Sequence, residues 1–107
     1  MPVNRGVWFA LIAASVVTAC ASQTIKEQMR SFLGQPVSTV IAKLGYPTEE
    51  QSLAGHKVYI WATGRMVEGT SYTCKIRAIL DDQGIITTWD FEGNEGGCSR
   101  YASLLRQ

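Results

Sequence analysis

The chain has 107 residues, 46% of them hydrophobic, with ten basic and nine acidic side chains. That length holds one small domain, and the balanced charge argues against a nucleic-acid partner or a charged disordered tail. Three cysteines and one histidine leave few groups for a metal site or a nucleophile.

The N-terminal segment reads first as a targeting signal. Arg5 lies in a short polar region, and the apolar run Val7–Val17 follows, too short to span a bilayer as a helix. The next residues, Val17-Thr18-Ala19-Cys20, are similar to the lipobox of bacterial lipoproteins, in which a diacylglyceryl group is attached to the cysteine sulfur. The resemblance implies cleavage after Ala19, a lipid on Cys20 and, with Ala21 next rather than Asp, an outer-membrane address. Lipid chains on one cysteine anchor a protein durably, and the polypeptide would then face an oxidising periplasm.

Residues 22–33 predict a short helix, with Ile25, Met29, Phe32 and Leu33 on one stripe and Gly34 as its stop. A second helix is expected over 36–44, with Pro36 at its first position, Val37, Val40, Ile41 and Leu44 facing in, and Gly45 and Pro47 ending it. About ten residues after Pro47 read as a polar connection. Lys57–Thr63 is β-branched and aromatic, and predicts a strand. Gly64–Ser71 reads as a long loop carrying Arg65, Met66 and Val67.

A second strand is expected over 72–80, where Tyr72, Cys74, Ile76, Ala78 and Leu80 alternate with Thr73, Lys75 and Arg77. Asp81-Asp82-Gln83-Gly84 suits a short turn, and residues 85–91 a third strand. After a glycine-rich loop over 93–97, a last helix is expected from Cys98 to Arg106. The fold class is therefore α+β: two N-terminal helices on a three-stranded antiparallel meander, closed by a short C-terminal helix. The organisation reads as a signal peptide over 1–19, a lipidated N-terminus and first helix over 20–34, and the domain proper over 35–107.

Cys74 and Cys98 are the thiols left once Cys20 is acylated, and in the periplasm such a pair is most simply a disulfide. A metal pair would want further ligands, and His56 is the only histidine; a redox couple usually shows a Cys-x-x-Cys spacing.

The run Gly34–Pro47, the polar connection and Val58-Tyr59-Ile60-Trp61 together resemble the BamE (SmpA/OmlA) family of small outer-membrane lipoproteins. The resemblance extends over residues 34–91. It implies a helix-and-meander domain with the β-barrel assembly machinery and anionic phospholipid as partners. This chain departs from it in carrying Pro36 and in adding Gly96-Gly97-Cys98 and a closing segment. The same module is similar to the repeats of β-lactamase-inhibitory proteins.

No catalytic motif is apparent. His56 reads as a solvated residue, Asp81 and Asp82 as turn chemistry, and Asp90 and Glu92 as a wet strand face. No cofactor, metal or small-molecule substrate is expected. Binding is the better class: Tyr59 and Trp61 share one side of a strand whose two sides are both apolar, so they are either core or a docking patch. With Arg65, Met66 and Val67 they form the candidate protein-binding set. The expectation is a non-catalytic scaffold or binding component of the envelope. An inhibitor of a lysozyme- or β-lactamase-type hydrolase and a component of a secretion or conjugation apparatus are the alternatives.

Overall fold

The computed structural model describes residues 21–107. The signal segment read over 1–19 and Cys20, the expected acylation site, lie outside the described residues.

Helix α1 spans Ala21–Phe32 and buries Thr24, Ile25, Met29 and Phe32, a stripe at helical spacing. Gly34 follows at φ +83°, a conformation that costs little only without a Cβ. Helix α2 spans Ser38–Leu44, starting later than expected. Pro36 lies outside it, paired with Ile85 in an isolated antiparallel bridge, while the Val37 N–H donates to the Gly84 carbonyl at 2.9 Å. The helix ends where Gly45, at φ +88°, donates its N–H to the Ile41 carbonyl at 2.8 Å.

Four strands follow in a continuous antiparallel meander: β1 Glu49–Leu53, β2 His56–Val67, β3 Thr70–Leu80 and β4 Ile86–Gly93. The expected three-stranded meander is thus corrected to four strands. The additional strand is β1, in the segment read as a polar connection. Its residues Glu-Glu-Gln-Ser-Leu are poor strand formers, but they pair from Glu49↔Ile60 to Leu53↔His56 through a tight turn at Ala54 and Gly55, both at positive φ. Partner, not propensity, makes this edge strand.

A second correction concerns Gly64–Ser71. These residues are no loop: β2 and β3 stay paired to Val67↔Thr70, and a two-residue turn at Glu68 and Gly69 (φ +48° and +82°) closes the hairpin.

Helix α3 spans Glu95–Arg106 and buries Gly97, Cys98, Tyr101, Ala102 and Leu105. It begins inside the stretch read as a glycine loop, because Asn94 caps it: Asn94 Oδ1 accepts the Gly97 N–H at 2.8 Å. The glycines serve close approach. A Cβ on Gly97 would lie 2.2 Å from the Thr73 carbonyl oxygen, and one on Gly96 would lie 2.5 Å from the Tyr72 ring. Helix α3 can therefore lie directly against β3, where Cys98 bonds to Cys74 with a Cα separation of 4.9 Å.

The helices cover one face of the sheet. Trp61, Cys74, Ile76, Ala78, Leu80 and Ile86 meet Ile25, Met29, Phe32, Val40 and the inner side of α3 there, with Tyr59, Trp89 and Phe91 packed against them. The other face carries Lys75, Arg77, Asp90 and Glu92, and Arg77 Nε donates to Asp90 Oδ1 at 2.6 Å. Val58 and Ile60 also point to this side, yet both are buried, flanked by Gln51 and Ile79 and by Glu49 and Arg77.

Candidate functional site

The expected binding set does not form one surface. Trp61 is 1% exposed and its indole Nε1 donates to the Gly45 carbonyl at 2.8 Å, so it is a core residue that ties β2 to the end of α2. This settles the choice left open by the two apolar sides: one is core, and Trp61 belongs to it. Tyr59, half-buried, meets the Trp61 ring edge-on at 6.4 Å and keeps part of its surface open. Arg65, Met66 and Val67 lie much further along β2, and at roughly 3.3 Å per residue Met66 is about 23 Å from Tyr59. There Met66 is 69% and Val67 45% exposed, while the Arg65 guanidinium lies 5.5 Å from the Tyr72 ring centroid.

Tyr59 has a neighbour that sequence reasoning missed. Tyr46, in the connection between α2 and β1, is 86% exposed. With Ile41, Pro47, Glu49, Glu50 and Tyr59 it lines an open cleft of about 330 Å³. The turn after α2 creates this arrangement. The Gly45 carbonyl is held by Trp61, and Thr48 donates its N–H to the Ile60 carbonyl at 2.7 Å, so the chain reverses and sends Tyr46 outward. Two phenol rings and two carboxylates around a shallow apolar floor suit an apolar side chain flanked by a cation or an amide donor. The signal for it was Tyr46 between a helix-ending glycine and a proline, an aromatic in a turn that helix chemistry alone does not require.

Three of the ionisable residues singled out in the sequence, Asp81, Asp90 and Glu92, have structural roles. The Asp81 carboxylate accepts the N–H groups of Gln83 at 2.8 Å and Ile85 at 2.9 Å and so builds its own turn. Asp90 and Glu92 both pair with Arg77. The Asp90 hydrogen bond is the chief cause that raises the Arg77 guanidinium above its ordinary value, although half-exposed pairs of this kind contribute only about 0–1 kcal/mol. His56 is exposed at the start of β2. Among the described residues no three His, Cys, Asp or Glu side chains come together as metal ligands, and no helix is long and apolar enough to cross a membrane.

Tyr101 is the buried titratable group of α3. Burial pushes its phenol above the ordinary value, against the smaller lowering effects of Arg100 and a hydrogen bond with Thr48. A raised phenol means the folded state holds its proton longer than the unfolded chain. Its contribution is therefore complete below about pH 10 and declines as pH rises further. In melts between pH 8 and 11, Tyr101→Phe should flatten the alkaline decline; an unchanged slope would assign it to other groups.

No family model, curated protein or solved structure matches the chain.

Proposed function

We propose that this chain is a lipid-anchored, periplasm-facing envelope protein that binds other proteins without catalysing a reaction. The reading is supported on the N-terminal side by the lipobox-like Val17–Cys20 segment, and in the domain by the cleft between Tyr46 and Tyr59. The observation that carries the binding role is Tyr46. A tyrosine 86% exposed beside an apolar cleft has no part in the core, and tyrosines are among the side chains that most often anchor interfaces. The resemblance of residues 34–91 to BamE-type lipoproteins makes outer-membrane protein assembly the leading setting.

The test is capture from detergent-solubilised membranes with wild-type protein and with Tyr46→Asp. Barrel-assembly subunits, a hydrolase or secretion subunits would each select one setting. Tyr46→Asp should weaken capture by about 1–3 kcal/mol, roughly fivefold to 150-fold, with the melting temperature unchanged. Equal capture by both proteins would remove the cleft from consideration.

A further inference from the structure

The strongest unexplained feature is the β2–β3 hairpin tip, where Met66 and Val67 are exposed on a ribbon paired up to its turn. We infer that this tip rests in the headgroup layer of the same membrane leaflet that holds the Cys20 lipid, as a second, non-covalent membrane contact. The inference rests on the anchor reading proposed above.

Position carries the argument. The start of α1 is tied to the start of α3, with Ser22 Oγ donating to Glu95 Oε1 at 2.6 Å and the Ser22 N–H directed at Glu95 Oε2 at 3.3 Å. The residue before Glu95 is tied to the hairpin, since Asn94 Nδ2 donates to the Ser71 carbonyl at 2.7 Å. Gly96, the residue after it, lies against the Tyr72 ring. The first turn of α1 and the turn-proximal part of the hairpin thus share one end of the domain. Cys20 immediately precedes Ala21, one peptide unit of about 3.8 Å away, so no linker separates the acylation site from that end.

The dimensions agree. Beyond Ser71 the hairpin continues through Met66↔Ser71 and Val67↔Thr70 to the turn at Glu68 and Gly69. That adds about 7–10 Å, close to the depth of about 5–10 Å at which interfacial segments settle between headgroups and acyl chains.

The side chains favour a bilayer over a protein groove. As neighbours on a strand, Met66 and Val67 point to opposite faces, and both are exposed. A groove would cover one of them; a headgroup layer surrounds both. Behind the tip, Arg65 and Arg100 line a cleft of about 140 Å³ at the level where lipid phosphates would lie. Glu68 at the turn sets a shallow depth, because its carboxylate must stay hydrated among the headgroups. Two apolar side chains alone would bind weakly, but a covalent tether at the same end raises their effective concentration at the surface.

The test uses the mature acylated protein in vesicles of phosphatidylethanolamine and phosphatidylglycerol, with p-benzoylphenylalanine placed at Met66, at Val67 or, as control, at Tyr46. After irradiation, phospholipid adducts should form at 66 and 67 at several times the yield at 46, because Tyr46 flanks Tyr59, about 23 Å along β2 from Met66. The mass of the Cys20 peptide reports acylation separately. An acylated protein with no lipid adduct at 66 or 67, or with adducts to a second protein chain there, overturns the hairpin contact while leaving the anchor intact. An unacylated Cys20 overturns the anchor, and the hairpin contact with it.

Discussion

Trp61→Ala is expected to remove about 3–5 kcal/mol of stability, a large share of the roughly 5–15 kcal/mol available to a small domain. The indole is 1% exposed on β2, opposite Ile76 across the sheet and edge-on to Tyr59. Its removal leaves a void between sheet and helices and frees the Gly45 carbonyl from its 2.8 Å hydrogen bond. The two losses separate with Trp61→Phe, which keeps most of the apolar volume and forfeits the N–H. That variant should cost about 1–2 kcal/mol less than the alanine, measured by urea denaturation followed by circular dichroism. Near-neutral behaviour of Trp61→Ala would contradict core placement. Because the Gly45 turn also aims Tyr46, partner capture should fall in Trp61→Ala even though Trp61 itself touches no partner.

Loss of the Cys74–Cys98 disulfide is the second large effect. The bridge joins residues 24 positions apart, and closing such a loop restricts the unfolded chain by about 3–3.5 kcal/mol in the chain-entropy model. Both sulfurs are buried beneath α3, so the double variant Cys74→Ala, Cys98→Ala also forfeits contact volume. The urea midpoint should drop and the m-value should rise, since an uncrosslinked chain exposes more surface on unfolding. A double variant within about 0.5 kcal/mol of wild type would show that the bridge adds no more than a typical surface substitution.

What could be read from the sequence were the features with a local physical cause. The glycines at 34 and 45 end helices because their conformation needs no Cβ, and the alternation of Cys74, Ile76, Ala78 and Leu80 marks a sheet with one buried face. Asp81 folds its own turn with its own carboxylate. Structure that depends on a distant partner was not legible. Glu49–Leu53 becomes a strand only because β2 offers its edge, and positions 96 and 97, helical behind the Asn94 cap, are glycine because β3 lies too close for side chains. The hairpin tip was misread for a related reason: Gly64 and the single turn glycine at 69 interrupt the apolar alternation, although the backbone pairing continues.

For the candidate site, Tyr59 was found and its companion Tyr46 was not. Periodicity assigns residues to elements, and Tyr46 belongs to none. Trp61 and Tyr59 are indistinguishable by pattern, since both point to the helix side of the sheet; depth beneath the helices separates them.

The pairing of α1 with α3 fixes an order of events. Ser22 and Glu95 are 73 residues apart, and the strands between them form a succession of neighbouring antiparallel pairs. A chain emerging from its N-terminus can zip up that ribbon as it appears, yet the apolar stripe of α1 lacks its companion until the final helix arrives. The side of α1 that meets α3 therefore stays uncovered until the last residues have been made, even when its other side already rests on the sheet.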